Sequence, residues 1–148
     1  MTVNLRSAAL VAAICALNMS PAHAQSASSL PPVHHFDKIE YLSGGIGQDE
    51  SEAIKTEGKK WPLTMEFYQM DGQHAVYTAN AKILVTDAMG RKVLTVTSDG
   101  PFMLAKLPAK KYSIEATMGG VAIKKTAILH PQHMTKVTFL WKQALTPK

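Results

Sequence analysis

The fold is decided by residues 79–140, which read ANAKILVTDAMGRKVLTVTSDGPFMLAKLPAKKYSIEATMGGVAIKKTAILHPQHMTKVTFL. Short runs of β-branched and apolar residues are separated here by five clusters of turn-forming residues, roughly ten residues apart. The clusters are Asp87–Gly90, Ser98–Pro101, Pro108–Lys111, Met118–Gly120 and His130–His133. Short strands at such regular spacing are typical of a small all-β sandwich or barrel.

Alternation of apolar and polar residues places the strands. Tyr112, Ile114, Ala116 and Met118 alternate with polar residues, which predicts a strand with one buried face. The seven predicted strands are residues 63–69, 76–86, 92–97, 102–107, 112–118, 121–129 and 135–141. The sequence therefore predicts an all-β fold, a seven-stranded antiparallel sandwich with one short N-terminal helix.

The first 24 residues predict a secretory signal peptide. A short start with Arg6 precedes the apolar run Ser7–Leu17, and Ala22-His23-Ala24 offers small residues for cleavage after Ala24. The run is shorter than the roughly 20 residues that span a bilayer, so we expect no stable membrane insertion. Two alternatives are disfavoured: a buried N-terminal helix, and a lipoprotein with lipid on Cys15, which follows Ile14 rather than a small residue. We expect a periplasmic or secreted protein.

Composition restricts the partners of the remaining chain. Without residues 1–24, the 148-residue chain keeps 124 residues, no cysteine and a formal net charge of +4 rather than +5, because only Arg6 is lost. That length favours one domain held by packing without disulfides. The lysines are dispersed, and no aromatic residues are interleaved with them as in nucleic-acid-binding proteins. Nucleic acid is therefore not expected as a partner.

The segment before the strands is predicted to be accessory. Residues 25–60 comprise a leader, a flexible Gly-rich loop at Ser43–Gly47 and a helix near 49–57, with residues 61–142 as the sandwich and 143–148 as a tail. Asp49 and Glu52 have the spacing of a capping box at the helix start. The helix is expected to pack against one edge or end of the sandwich.

The middle of the chain resembles the carboxypeptidase regulatory-like domain, a seven-stranded sandwich with transthyretin-like topology. The resembling residues are Ala81–Asp87, Gly90, Ser98–Phe102, Leu104, Leu107-Pro108, Tyr112–Ala116 and Gly119 or Gly120. The resemblance implies that Tyr112 pins the preceding proline turn to the core. One position departs from it, since Lys110 stands where the family usually has glycine. Either Lys110 adopts a left-handed conformation or the turn is built differently.

The chain also looks like a group of small stand-alone exported bacterial proteins of this type. They combine a Tyr-x-Ser-Gly-Gly-x-Gly segment, here Tyr41–Gly47, with a short acidic helix and the sandwich. In larger proteins the domain flanks a catalytic or receptor module and is not itself catalytic. The resemblance therefore implies an accessory or protein-interaction role.

No enzyme class is favoured by the residues. The residues that four enzyme classes require are missing or scattered: zinc peptidases, purine-pathway hydrolases, glycosidases, and enzymes with a serine or cysteine nucleophile. A phosphate bound at Gly44–Gly47 would be repelled by the acidic residues at the start of the helix. We predict no catalytic, cofactor-binding or metal residues, and no cofactor. The leading hypothesis is a non-enzymatic module of the cell envelope that binds another envelope protein, with the oligomeric state left open.

Two ligand-binding alternatives are kept. Histidines and methionines suit copper or zinc, and the candidates are His34, His35, His74, His130, His133 and Met134. His130 and His133, which flank a proline turn, are the sharpest of these candidates. Aromatic residues could instead form a carbohydrate platform; the candidates are Trp61, Tyr68, Tyr77 and Trp141.

Overall fold

A computed structural model of the protein describes residues 29–142. These residues form two sheets and one helix. The elements are β1 (His34–Phe36), β2 (Ile39–Gly44), α1 (Gln48–Gly58), β3 (Leu63–Asp71), β4 (His74–Tyr77), β5 (Lys82–Asp87), β6 (Lys92–Thr97), β7 (Phe102–Ala105), β8 (Lys111–Met118), β9 (Val121–Ile128) and β10 (Thr135–Trp141). The predicted signal peptide and the tail after Lys142 lie outside the described residues.

One sheet, which we call sheet B, has the strand order β6-β5-β8-β9. All neighbouring strands in it are antiparallel. Its two hairpins turn at Asp87–Gly90 and Gly119-Gly120, as the sequence predicts. The Asp87 carboxylate accepts backbone N–H bonds from Met89 (2.9 Å) and Arg91 (3.0 Å). Short polar side chains stabilise tight turns in this way.

The second sheet, sheet A, has the order β1-β2-β7-β3-β10, with β4 paired to the far end of β3. Strand β10 runs parallel to β3, with Val137 opposite Met65 and Phe139 opposite Phe67. This parallel pair differs from the predicted all-antiparallel sheet. Side-chain alternation has the same period in both directions, so it cannot reveal the direction of a distant partner.

The sandwich core lies between the two sheets, and the predicted two-sheet all-β fold is confirmed. Leu63, Met65 and Phe67 face it from β3, as their alternation predicts, and Phe139 and Trp141 face it from β10. The Phe67 and Phe139 rings stack with their centroids 5.9 Å apart.

Within residues 29–142, no helix is long and apolar enough to cross a bilayer.

The predicted long strand 76–86 is two strands in different sheets. The chain leaves sheet A after Tyr77 and enters sheet B at Lys82. Asn80 at the crossing has a positive φ of 64°, which asparagine tolerates better than most residues. Ser98 stabilises the crossing, because its carbonyl accepts the Asn80 N–H and its hydroxyl accepts the Ala81 N–H. Because the apolar alternation continues through residues 76–86, the sequence does not show that the chain changes sheet there.

The segment before residue 61 contributes to the sandwich. Residues predicted as leader and loop form β1 and β2, and β2 pairs with β7. Together with β4, these strands raise the number within residues 29–142 from the predicted seven to ten. Phe36, Ile39 and Tyr41 pack against the core, whereas the neighbouring Leu42 packs beneath the helix. Apolar residues therefore occur on both faces of β2, and no clear alternation identifies these strands.

The predicted helix is confirmed, but its cap and position differ. Asp49 does not cap it: the N-cap is Gly47 and no side chain caps the first turn. Glu50 instead accepts the Gly45 N–H. The helix packs on the outer face of sheet A rather than at an edge, and a second apolar cluster lies beneath it. This cluster consists of Leu42, Ile54, Trp61, Phe102 and Leu104.

Tyr112 fastens the Pro108–Lys111 turn, as the resemblance implies. Its buried ring lies in the core and its hydroxyl donates to the Pro108 carbonyl at 2.8 Å. Lys110 is not among the non-glycine residues with positive φ, so the turn is built without a left-handed residue there. The Lys110 carbonyl accepts the Leu129 N–H, which ties the turn to the end of β9.

We expect Tyr112→Phe to lower the free energy of unfolding by about 1 kcal/mol, because the ring stays buried while the Pro108 carbonyl loses its donor. For a domain of this size, that corresponds to a melting temperature about 4 °C lower. Thermal unfolding followed by circular dichroism measures it. An unchanged melting temperature would show that the hydroxyl does not stabilise this turn.

Candidate functional site

A row of exposed apolar and aromatic side chains crosses the outer face of sheet A. Leu140 on β10 lies opposite Tyr68 on β3, and Tyr68 lies opposite Tyr77 on β4. Residues opposite each other in neighbouring strands face the same side of a sheet. Because Phe67 and Phe139 point into the core, these three residues point outward. Leu140 is 41% exposed and Tyr77 44% exposed.

The two tyrosines of this row support each other. Their rings stack with centroids 4.8 Å apart, and the Tyr77 ring also lies 5.1 Å from the buried Phe102 ring. The Lys55 ammonium group of α1 lies 5.4 Å from both the Tyr77 and the Phe102 ring centroid, within cation–π distance. Tyr77 is therefore exposed on one side and held in place on the other.

A largely buried carboxylate fixes the middle of the row. Glu66 pairs with the Lys136 ammonium group at 2.7 Å and accepts a hydrogen bond from the Tyr68 hydroxyl at 3.1 Å. Burial, together with the neighbouring Tyr77 and Glu66, raises the pKa of Tyr68 well above its usual value. Tyr68 therefore stays a neutral phenol that donates to Glu66 at any physiological pH.

The row continues into a groove between the end of β4 and the start of α1. Its lining comes from Tyr77–Ala79, Pro101, the segment Gly45–Gln48 and Ser51. The volume of the groove is about 420 Å³. Ile46 stands at its rim with 68% of its surface exposed. We call Leu140, Tyr68, Tyr77 and Ile46 the aromatic strip.

The Gly-rich segment beside the groove is closely packed, which corrects the prediction of a flexible loop. A Cβ atom on Gly45 would lie 3.0 Å from Phe102 Cε2 and closer to Cδ2. One on Gly100 would lie 2.8 Å from the Gly44 Cα and closer to its carbonyl group. The Gly45 N–H donates to Glu50 Oε1 at 2.6 Å. This backbone donor is therefore already used by a carboxylate, which opposes phosphate binding.

The histidine candidates for a metal site are spread over the fold. His34 and His35 lie on β1, and His74 lies at the start of β4. His130 and His133 do line one cleft, of about 490 Å³, together with Met134 and the lysines Lys59 and Lys60. Among the described residues, no three histidine, cysteine, aspartate or glutamate side chains are grouped to hold an ion. Two lysine side chains in the same cleft disfavour a cation.

The four aromatic candidates for a carbohydrate platform are not together on the surface. Trp61 is buried under α1, with the Lys106 ammonium group 4.8 Å from its ring centroid. Trp141 is buried in the core and donates its indole N–H to the Val121 carbonyl at 2.9 Å. Only Tyr68 and Tyr77 are adjacent on the outer face, and they stack on each other. Tyr68 itself is half-buried.

Sequence reasoning missed Leu140 and Ile46 as surface residues of this site. A signal for Leu140 was present, because it lies between Phe139 and Trp141 in the predicted strand 135–141, and alternation places it on the face opposite to theirs. Ile46 carried a weaker signal, as an apolar residue between two glycines of a polar segment. Their proximity to Tyr77 depends on strand pairing and could not be obtained from local pattern.

Comparison with solved structures shows a distant structural likeness. No protein-family model matches the chain, and no curated protein is similar to it. The crystal structure of GBS52, the minor pilin of the Gram-positive pathogen Streptococcus agalactiae, is 15% identical with a TM-score of 0.49. The match covers 60% of this chain and 48% of the pilin chain, so the aligned part is about half of that pilin chain. A likeness at this level indicates neither a shared family nor a shared function.

Proposed function

We propose that this protein is a non-enzymatic, exported β-sandwich module of the cell envelope that binds another protein through the aromatic strip. The observation that carries the proposal is the strip itself, in which the exposed Leu140, Tyr77 and Ile46 are joined by the half-buried Tyr68 and by the groove that Tyr77 and Ile46 share. Contiguous apolar surface of this kind marks interaction sites in soluble proteins, and tyrosine is enriched where binding energy concentrates. Export is supported by the sequence pattern of residues 1–24.

The strip is already organised for binding. Tyr77 is held by Tyr68, Phe102 and Lys55, and Ile46 stands on a segment fixed by Glu50 and by the glycine contacts. Side chains held in one conformation lose little entropy when a partner binds. A partner can therefore gain most of the free energy of burying these residues.

The charge beside the strip defines the partner's chemistry. Among the described residues, Lys55 makes no ion pair with a carboxylate, whereas Lys136 is paired with Glu66. We infer a protein segment that offers apolar side chains to Ile46 and Tyr77 and an acidic side chain to Lys55. Such a charge contact steers association and sets specificity.

The test compares two variants that each place a charge on an exposed apolar residue. The immobilised full chain is incubated with an envelope extract, and any retained protein is identified, purified and titrated by calorimetry. We expect Ile46→Asp to weaken its binding at least tenfold, about 1.4 kcal/mol. Met89→Asp is the matched control, because Met89 is 78% exposed in the β5–β6 turn of sheet B, away from the strip. Equal binding by both variants would contradict the proposal.

A further inference from the structure

The two sheets leave several open edges, and most of them are short or protected. Strand β1 has three residues and β4 has four. Strands β9 and β10 face each other, tied by Trp141 to Val121, and Lys125 of β9 points inward with its ammonium group 5.8 Å from the Phe139 ring centroid. Short edges and inward-pointing charges are the usual protection against edge-to-edge pairing.

The edge of β6 lacks this protection. Its six residues pair with β5 alone, with one register shift beside Val93, and the regular stretch Leu94–Thr97 carries no charge. Ser98 directs its N–H toward β5, where it donates to the Ala81 carbonyl at 2.8 Å. Because hydrogen-bonding direction alternates along a strand, Thr95 and Thr97 direct their N–H and C=O groups to the open side. Both threonines are exposed.

We propose that β6 pairs antiparallel with β6 of a second copy of this chain, with Thr95 opposite Thr95 on the two-fold axis. This arrangement joins the two B sheets into one continuous sheet. It leaves the aromatic strip on sheet A free, so it goes beyond the proposed function and does not depend on it. A two-fold interface of this kind closes on itself and does not form fibres.

The faces of sheet B on which the β6 side chains lie favour this register. Leu94 and Val96 lie opposite Val85 and Ile83 of β5 and therefore face the core side of sheet B. Placing Thr95 opposite Thr95 sets Leu94 of one copy against Val96 of the other, so apolar residues meet on the core side and threonines meet on the outer side. Both kinds of cross-strand pair stabilise antiparallel sheets.

Charge complementarity at the ends of β6 favours the same register. Arg91 precedes the strand and Asp99 follows it, and both are exposed. With Thr95 on the axis, the end of β6 that carries Arg91 lies beside the end of the other copy that carries Asp99. Among the described residues, Asp99 makes no ion pair within its own chain, while Arg91 bonds Asp87 at 2.8 Å. The two Lys92 residues lie at opposite ends of the paired strands, so no two lysines are opposed.

Sedimentation equilibrium of the full chain, purified after export, tests the proposal. We expect a dimer, and we expect Thr95→Lys to weaken it at least tenfold, because two ammonium groups would meet on the axis. Met89→Lys, which adds the same charge outside the strand edge, should leave the dimer intact. Circular dichroism checks that Thr95→Lys keeps the fold, as expected for an exposed position.

A cysteine variant tests the register directly. The natural chain has one cysteine, Cys15, inside the predicted signal peptide. Opposed residues of an antiparallel pair lie about 5.5 Å apart at Cα, within the range of a disulfide. Oxidised Thr95→Cys should therefore form covalent dimers faster than Met89→Cys. A monomer at all concentrations, a dimer unaffected by Thr95→Lys, or equal cross-linking by the two cysteines would overturn the proposal.

Discussion

Gly100→Ala is expected to lower the free energy of unfolding by about 3 kcal/mol, at the upper end of the range for overpacking. The cause is a backbone contact, because the new Cβ would lie 2.8 Å from the Gly44 Cα and closer to its carbonyl group. Backbone atoms cannot rotate away as a side chain can. Chemical denaturation of the wild type and the variant measures the difference.

Gly72→Ala is the matched control for this substitution. Gly72 has a positive φ of 59° and nothing within 4 Å of its Cβ position, so only conformational strain opposes alanine there. We expect a cost of about 1 kcal/mol. Equal effects of the two substitutions would show that Gly44 and Gly100 are not in close contact. That result would also remove the support for a rigid Gly-rich segment beside the groove.

Phe139→Ala is expected to lower the free energy of unfolding by about 3–5 kcal/mol, because a fully buried ring is removed from the core. The ring stacks on Phe67 across the parallel β3–β10 pair and lies 6.1 Å from the Trp141 ring. The substitution therefore removes contacts that hold β10 to the sandwich. Denaturant unfolding of the purified variant measures the loss.

Leu140→Ala, one residue along the same strand, serves as the control. Leu140 is 41% exposed on the aromatic strip, so its truncation should change the free energy of unfolding by no more than about 0.5 kcal/mol. We expect it to weaken partner binding while the fold is kept. Similar destabilisation by both substitutions would mean that β10 does not present alternate faces to the core and to solvent.

Much of sheet B could be predicted from the sequence, because its hairpins are local. The residues Asp87 and Gly90 and the pair Gly119-Gly120 specify tight turns between adjacent strands, and the structure pairs those strands as expected. The bond from Tyr112 to Pro108 spans four residues and is equally local. Turn-forming residues and apolar alternation predict contacts between residues that are close in the sequence, such as these.

Sheet A was less predictable, because its pairings join distant parts of the chain. The parallel pairing of β10 with β3 links Thr135 to Leu63, and no local pattern records that contact. Strands β1 and β2 lack a clear alternation of apolar and polar residues. The alternation through residues 76–86 is continuous, so it does not show that the chain changes sheet at Asn80. The role of Gly100 also escaped prediction, because its close neighbour is the distant Gly44 rather than a turn partner.

The aromatic strip was hidden for the same reason. Tyr68, Tyr77 and Leu140 lie on three strands, and only the registers of β3 with β4 and β10 bring them into one row. The sequence offered Tyr68 and Tyr77 only as candidates for a carbohydrate platform. The structure stacks Tyr68 on Tyr77, and Tyr77 shares a groove with Ile46.

Site-specific photocross-linking in living cells tests the central claim most directly. A photoreactive amino acid replaces Ile46 on the strip in one variant and Met89, which is also well exposed, in the other. The account predicts a covalent adduct with one particular envelope protein from position 46 and none with that protein from position 89. The absence of an adduct from position 46, or the same adduct from both positions, would contradict it.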